Sequence, residues 1–138
     1  MAAYEITLPV RFGHVDYAGI MFYPRFFDNF HTAMEDMFGD RLGTPYMTLL
    51  KERRIGFPTV HLETDFRKPF EFGDPMRLVV DVTKIGRSST TLRYRGYNGD
   101  EAEPSVECHG TVVAIDLDTF ETLEFPPDIR KVLEDLSA

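Results

Sequence analysis

A chain of 138 residues with 43% hydrophobic and 28% charged residues is long enough for one domain with its own apolar core, so we predict a single domain over 1–138. Its net charge of −8 argues against a general nucleic-acid binder, which needs a basic surface to neutralise phosphates, although a local cluster of arginines can still hold a small anionic ligand. No apolar run approaches the roughly 20 residues of a membrane helix, so we expect no membrane partner.

The first predicted elements are a strand and an unusual glycine-bearing segment. Alternating apolar and polar residues predict a strand over 4–10. Residues 11–22 follow, and in them Asp16 is a lone carboxylate between Gly13 and Gly19. Both glycines are expected to serve the backbone geometry of this segment.

Two helices are predicted next. Pro24 suits the first position of a helix, where its missing N–H costs nothing. A long helix is expected to begin there and to end at Gly39 as its C-terminal cap, and a shorter one to span 45–53 and end at Gly56. The long helix has an unusually bulky apolar stripe that consists of Phe26, Phe30, Ala33, Met34, Met37 and Phe38.

The rest of the chain has the alternation typical of strands. Turn residues at 86–88 and 98–100 separate the longest of them. The predicted strands cover 57–66, 75–85, 89–97 and 106–116, and a short amphipathic helix over 127–136 closes the chain. One large apolar helix together with one large antiparallel sheet predicts an α+β fold in which the sheet wraps around the helix.

Asp16 and the start of the long helix suggest a chemistry. Tyr23 precedes Pro24 and is near the N-cap, but tyrosine is not a capping residue, so the N–H groups there stay available to a ligand oxygen, helped by the helix dipole. A carboxylate beside such donors suits attack on a carbonyl, as a general base or as a nucleophile. The alternative for Asp16 is a turn carboxylate that bonds only nearby backbone.

The segment from Gly13 to Pro24, followed by the phenylalanine-rich helix, resembles the signature of the hot-dog-fold acyl-CoA thioesterases. Within them it is most similar to the 4-hydroxybenzoyl-CoA thioesterase type, with the pattern G-x-x-D-x-A-G-I-x-x-Y-P. The resemblance covers nearly the whole chain. It implies a five-stranded antiparallel sheet around a central helix, assembled as a homodimer or homotetramer with the active site at the dimer interface. It also implies that Asp16 is the catalytic carboxylate and that the backbone N–H of Tyr23 binds the thioester oxygen.

The resemblance suggests further site residues. The central helix lines the acyl pocket in the family, so His31 is a candidate to meet a polar substituent on the acyl group. His61, in a strand that nears the same pocket, is a weaker candidate. Lys84 and Arg87 are candidates for the CoA phosphates, because the family carries a basic cluster near that turn, although only these two are close in sequence here.

His14, two residues before Asp16, is expected to support it or to serve structure. The four histidines show no H-x-x-x-H spacing, and Cys108 is the only cysteine, so we predict no metal site and no intramolecular disulfide. No G-x-S-x-G motif supports a serine hydrolase. The N-terminus lacks a basic segment followed by an apolar stretch, which predicts no secretory signal and a cytoplasmic protein.

The functional prediction is therefore an acyl-CoA thioesterase that needs no cofactor. It would hydrolyse an aromatic, 4-hydroxybenzoyl-CoA-like, or medium-chain acyl-CoA to the free acid and CoA. Three alternatives stay open: a thioesterase for acyl carrier protein or short-chain thioesters, a non-catalytic acyl-CoA or acyl-carrier-protein binding module, and a hot-dog dehydratase.

Overall fold

The computed structural model describes residues 3–138. Apolar alternation and helical spacing decide most element types, and the bounds agree with the predictions to within a few residues. In chain order the elements are β1 (Tyr4–Pro9), α1 (Pro24–Leu42), α2 (Tyr46–Lys51), β2 (Ile55–Gly56), β3 (Thr59–Phe66), β4 (Pro75–Ile85), β5 (Ser89–Asn98), β6 (Val106–Val113), β7 (Ile115–Asp116) and α3 (Pro127–Asp135). A single 3-10 turn, Phe12–His14, lies between β1 and α1.

Within the described residues, five strands form one antiparallel sheet in the order β1-β4-β5-β6-β3. The long strand predicted over 106–116 is in fact two. β6 ends at Val113, because the Ala114 N–H donates to Ser88 O at 2.7 Å and turns the chain away. β7 then pairs with β2 in a separate two-stranded sheet.

Helix α1 lies against the inner face of the five-stranded sheet. All six residues of its predicted apolar stripe are buried, at 4% exposure or less. On the sheet side the inner face presents buried residues from three strands, namely Leu78, Val80, Leu92, Val106 and Cys108. Ring stacking joins the two layers, since the centroids of Phe30 and Tyr94 lie 5.1 Å apart. The predicted α+β hot-dog fold, a five-stranded sheet around a long central helix, is confirmed.

Two predicted helix ends are wrong. Helix α1 continues past Gly39 to Leu42, and the cap is Gly43, whose φ of 74° is left-handed and whose N–H donates to Gly39 O at 3.0 Å. Gly56 does not end α2, which stops at Lys51, but pairs with Ile115 in β2. A Cβ at Gly56 would come within 2.7 Å of a Leu117 side-chain carbon, so close packing requires the glycine.

None of the helices within residues 3–138 combines the length and the apolar character that spanning a bilayer requires.

Candidate active site

The segment before α1 folds into a tight hairpin. Val15 forms an antiparallel bridge with Met21. The Phe22 N–H donates to His14 O at 2.8 Å, and the Asp16 N–H donates to Ile20 O at 3.0 Å. This backbone ladder holds Asp16 and the start of the central helix on one short ordered unit.

The glycines of the hairpin differ in role. Gly19 closes the tip, where its N–H donates to Asp16 O at 3.0 Å and its φ of 82° lies in the left-handed region that glycine tolerates. Gly13 lies in the 3-10 turn with nothing within 4 Å of a built Cβ. The geometry therefore requires a glycine at position 19 and gives no steric reason for one at position 13.

His14 closes the 3-10 turn. Its Nδ1 accepts a hydrogen bond from the Arg11 N–H at 3.1 Å, and its carbonyl holds Phe22. This geometry makes His14 a residue that shapes the hairpin. No hydrogen bond joins its ring to Asp16 among the described residues.

The Asp16 carboxylate is exposed, and one of its oxygens is held. Oδ1 accepts the Ala18 N–H at 2.8 Å, which is the local turn bond that aspartate often makes. Oδ2 has no partner among residues 3–138. The turn bond therefore orients the carboxylate and leaves its second oxygen available for a proton or a carbonyl carbon.

Tyr23 presents a free backbone donor. It is the N-cap of α1, its side chain makes no capping bond, and Pro24 has no N–H. The next N–H groups, of Arg25 and Phe26, donate to Phe22 O at 2.9 Å and to Tyr23 O at 3.2 Å. No acceptor for the Tyr23 N–H lies among the described residues. The positive end of the helix dipole thus has one open donor, the one that the sequence predicts.

An aromatic cleft of about 260 Å³ lies beside this donor. Phe66 of β3 forms one wall, with its ring centroid 6.5 Å from that of Tyr23 and 5.1 Å from that of Phe26. Phe66 is 47% exposed despite its size. The cleft is lined by Ile20, Met21, Tyr23, Phe26, Phe66, Arg67, Lys68 and Pro69. Phe66 was not singled out from the sequence, since one apolar residue in a strand carries no signal of its own.

A second, smaller cavity of about 80 Å³ lies between α1 and the inner face of β3, β5 and β6. His31 is at its border, exposed, with its Nε2 3.3 Å from Glu35 Oε1. The lining residues are Phe27, Phe30, His31, Met34, Thr59, Leu62, Tyr94, Gly110 and Val112. The helix position predicted for His31 therefore brings it to an apolar cavity, as the resemblance implies for an acyl pocket.

His61 does not line this cavity. A bulge between Thr59 and His61 shifts the register of β3, so that Leu62 pairs with the buried Gly110 and His61 pairs with Thr111. His61 therefore points to the outer face of the sheet, where its Nε2 lies 3.2 Å from Glu63 Oε1. The structure therefore does not bring His61 to this cavity, and a role for His61 in the acyl pocket stays a prediction.

Lys84 and Arg87 both lie exposed at the β4–β5 turn. The Arg87 Nε is 3.5 Å from Glu124 Oε2, and the Arg87 carbonyl accepts the Phe125 N–H at 3.0 Å. Arg130 of α3 donates to Gly86 O at 2.9 Å and supports the same turn. Arg130 was missed from the sequence because it lies more than forty residues from the turn.

Arg93 and Arg95 of β5 do not add to this basic cluster, because both are engaged with Asp81. Arg93 donates through Nε to Asp81 Oδ1 at 2.9 Å, and the Arg95 Nη2 lies 3.4 Å from Asp81 Oδ2. Asp81 is only 4% exposed, so it needs these partners. The two guanidinium groups therefore neutralise a buried carboxylate on the outer face of the sheet.

Cys108 is not placed to act as a nucleophile. It is fully buried, and its sulfur accepts a hydrogen bond from the Thr64 hydroxyl at 3.3 Å. Burial raises the pKa of its thiol, which disfavours the reactive thiolate. Within residues 3–138, no group of three or more His, Cys, Asp or Glu side chains is arranged to hold a metal ion.

Comparison with known proteins places this geometry in a family. The model of the thioesterase-like superfamily matches residues 10–133. A 1,4-dihydroxy-2-naphthoyl-CoA hydrolase of Synechococcus elongatus is 29% identical over 96 residues, which are 69% of this chain and 70% of the relative. The protein of the same name from Synechococcus sp. (strain WH7803) is 28% identical over 139 residues, covering 94% of this chain and 88% of the relative.

Solved structures share the fold. A 1,4-dihydroxy-2-naphthoyl-CoA thioesterase from Synechocystis superposes with a TM-score of 0.87 at 19% identity, covering 97% of each chain. A gentisyl-coenzyme A thioesterase superposes with a TM-score of 0.82 at 24% identity, covering 92% of this chain and 99% of the other. With the family match over 10–133, the chain belongs to the thioesterase-like superfamily, and the prediction of a hot-dog thioester hydrolase is confirmed.

Proposed function

We propose that this protein hydrolyses aromatic acyl-CoA thioesters to the free acid and CoA, with Asp16 as the catalytic carboxylate and the Tyr23 N–H as the oxyanion donor. The observation that carries the proposal is the free Tyr23 N–H at the start of the central helix, on the same hairpin as Asp16. A donor without an acceptor among residues 3–138, next to an aromatic cleft, suits the oxygen of a bound thioester.

In the simpler route, Asp16 removes a proton from water as the water oxygen adds to the thioester carbon. Negative charge develops on the carbonyl oxygen, where the Tyr23 N–H stabilises it. One such donor contributes on the order of 3–4 kcal/mol in other enzymes. The C–S bond then breaks and CoA leaves. In the alternative route, an oxygen of Asp16 attacks the same carbon, the C–S bond breaks and CoA leaves as the thiolate, and water then hydrolyses the resulting mixed anhydride to the free acid and the Asp16 carboxylate.

The aromatic acyl group is supported by the walls of the site and by the relatives. Tyr23, Phe26 and Phe66 offer ring edges to a planar group at the cleft. The relatives and neighbours carry names that specify naphthoyl and gentisyl thioesters. A small polar acyl group would leave these walls uncovered, and a flexible chain would gain less from them.

A thiol-release assay tests the function. Benzoyl-, hydroxybenzoyl-, gentisyl-, phenylacetyl- and 1,4-dihydroxy-2-naphthoyl-CoA are compared with C2 to C12 aliphatic acyl-CoAs. We expect kcat/KM for the best aryl thioester to exceed that for every aliphatic one by about tenfold or more, a difference within the reach of pocket contacts. Highest activity on a medium-chain thioester would contradict the aromatic assignment, and binding without turnover would indicate an acyl-CoA binding module.

Lys84 and Arg87 are proposed to hold CoA phosphates. Both are exposed on one turn, where they form a local basic pair on a chain whose net charge is −8. Such a pair can attract an anionic ligand in spite of the overall negative charge. Among the residues that the structure describes, the Arg87 guanidinium forms one ion pair, with Glu124 at 3.5 Å. Such an exposed pair is weak in water, so a phosphate can compete with the glutamate for the arginine.

Arg87→Ala is expected to raise KM for acyl-CoA by about tenfold while kcat changes little, because phosphate contacts hold ground state and transition state alike. Initial rates across substrate concentrations measure both constants. Arg41→Ala is the control, since it removes the same charge from the far end of α1, where Arg41 donates to the Ala3 carbonyl and its guanidinium lies 5.8 Å from the centre of the Tyr4 ring. An unchanged KM for Arg87→Ala would show that the CoA phosphates bind to another surface of the protein.

We also propose that a second copy of the chain covers the site. β3 is an edge strand that pairs on one side only, with β6. Val60, Leu62 and Phe66 on this strand are each about half exposed or more. An open edge of eight residues that carries exposed apolar side chains invites pairing with another strand. The homo-oligomer implied by the family resemblance is thereby supported, and a homodimer through β3 is its simplest form.

A further inference from the structure

Strand β3 is exposed along almost its whole length. Every residue of Thr59–Phe66 is exposed except Thr64, which is half-buried. Among the described residues, β3 pairs on one side only, with β6, so the backbone groups of its other side face an open edge. A strand with this much exposed surface is expected to be covered by another strand.

The two faces of β3 differ in chemistry. Its pairing with β6 places His61, Glu63 and Asp65 on the outer face of the sheet and Leu62 and Phe66 on the inner face. On the outer face the Nε2 of His61 lies 3.2 Å from Glu63 Oε1, and both side chains are more than half exposed. A strand that covers this edge must therefore meet polar groups on one face and apolar groups on the other.

A twofold axis at this edge restricts how two copies of β3 can pair. The two strands then run antiparallel, and directly opposite side chains point to the same face. Because the faces alternate along a strand, the axis must pass beside one residue, which lies opposite its own copy. An axis at Leu62 pairs residues 59–65 with one another, and an axis at Glu63 pairs residues 60–66. Any other axis leaves more of Thr59–Phe66 uncovered.

Charge separates these two arrangements. An axis at Glu63 places that carboxylate directly opposite its own copy, and like charges in this position destabilise a sheet. His61 would then face Asp65 of the partner subunit, which does not remove the contact between the two glutamates. An axis at Leu62 instead places His61 opposite Glu63 of the partner subunit, and the symmetry makes this pair twice. Leu62, which is 48% exposed, then covers its own copy on the inner face.

We propose that two copies of the chain pair through β3 about a twofold axis beside Leu62, with His61 of each copy opposite Glu63 of the partner subunit. This inference rests on the homodimer through β3 proposed above and adds its register. A neutral imidazole donates one N–H and an imidazolium two, so His61 can bond that carboxylate in either protonation state. The pairing covers the apolar side chain at the axis and sets no like charges directly opposite each other.

The register also decides which part of the partner meets the aromatic cleft. Phe66, one wall of that cleft, lies four positions beyond Leu62. The residue at the same distance on the other side of the axis is Pro58 of the partner subunit, so the segment around it lies beside Phe66. This segment would cover the open side of Phe66, which is 47% exposed in one chain. The cleft is therefore complete only in the dimer.

Cysteine crosslinking tests the register. His61→Cys, Leu62→Cys and Glu63→Cys each place a thiol where one axis would bring two copies together. Directly opposite residues have Cα atoms about 4.5–5.5 Å apart, within reach of a disulfide, whereas residues two positions off lie about 8 Å apart, beyond that reach. We expect Leu62→Cys to form a covalent dimer under mild oxidation at least about tenfold faster than the other two variants, as measured on non-reducing gels.

A mixture of two variants provides a second arm. His61→Cys and Glu63→Cys, mixed and allowed to exchange subunits, should form a covalent heterodimer, although neither variant forms a covalent dimer alone. Both positions are exposed, so this arm does not depend on whether Leu62→Cys folds. The wild type, with its buried Cys108, gives the background of the native thiol. Thr119→Cys, in an exposed turn, gives the rate of chance collisions.

Each other result counts against a defined claim. Self-crosslinking of His61→Cys or Glu63→Cys would overturn the register and leave the homodimer intact. A dimeric protein without any of these crosslinks, or a monomeric wild type, would overturn the β3 interface and this inference with it. Thiol release by the wild type is measured separately, so none of these results removes the thioesterase. A dimer with the expected crosslinks but no turnover would instead overturn the proposed function alone.

Discussion

Replacing Asp16 with asparagine is expected to lower kcat for thioester hydrolysis at least about a hundredfold, the lower end of the range for a group that transfers a proton. Asparagine keeps the shape of the side chain, and its amide oxygen can still accept the Ala18 N–H that Oδ1 now accepts at 2.8 Å. The hairpin therefore stays folded. What is lost is the negative charge, which both routes need, whether Asp16 deprotonates water or attacks the thioester carbon itself.

Asp116→Asn is the matched control for this experiment. Asp116 makes the same kind of turn bond, in which its Oδ1 accepts the Asp118 N–H at 2.8 Å, but it lies in β7. The two variants are compared by thiol release under saturating substrate and by thermal melts. If Asp16→Asn keeps most of its activity while Asp116→Asn behaves like the wild type, the carboxylate has been assigned wrongly, and another group must supply the base.

The second large effect is expected from Val60→Asp on the oligomeric state of the protein. Light scattering on a sizing column should give the wild type the mass of a dimer or tetramer, and Val60→Asp should give a monomer with turnover lowered by about tenfold or more. Val60 is 61% exposed on the open edge of β3. In a twofold interface each substitution occurs twice, so two unpaired carboxylates would enter one apolar contact. Charged side chains on an edge strand are also a common means of preventing strand pairing.

Phe120→Asp is the control for surface charge. Phe120 is 72% exposed and lies in the turn after β7, with a φ of 63° that aspartate tolerates. It adds the same charge in place of an exposed apolar side chain and should leave both mass and turnover unchanged. A monomeric wild type with full activity would refute the proposal that a second copy of the chain covers the site. Hydrolysis would then have to take place in an aromatic cleft that is open to solvent.

Much of the fold could be predicted because its signals are local. The stripe from Phe26 to Phe38 repeats at helical spacing, and its burial follows directly from that pattern. The alternation in 75–85 gave both bounds of β4 correctly. The cap of α1 was misplaced because a glycine inside a helix resembles a glycine that ends one. Here Gly39 continues the helix, and Gly43 alone has the left-handed conformation.

The candidate site likewise contains residues that a local sequence signal identifies and residues that it does not. Asp16 and Tyr23 lie within eight positions of each other, so a short motif contains both, together with the proline that leaves one N–H open. The structure places His61 on the outer face of the sheet because a bulge between Thr59 and His61 shifts the register of β3, and no residue pattern in the sequence predicted that bulge. A one-residue shift moves every side chain beyond it to the opposite side of the sheet.

The sequence by itself determined the element types, the family and the placement of Asp16 and Tyr23 on one short segment, because each depends on residues close together in the chain. Only the tertiary structure decided that the Thr64 hydroxyl donates to the buried Cys108 sulfur and that Arg130 supports the turn of Arg87. Those features depend on which distant strands and helices come into contact. Such contacts are set by the packing of the whole core, in which a side chain gains or loses a partner through residues forty or more positions away.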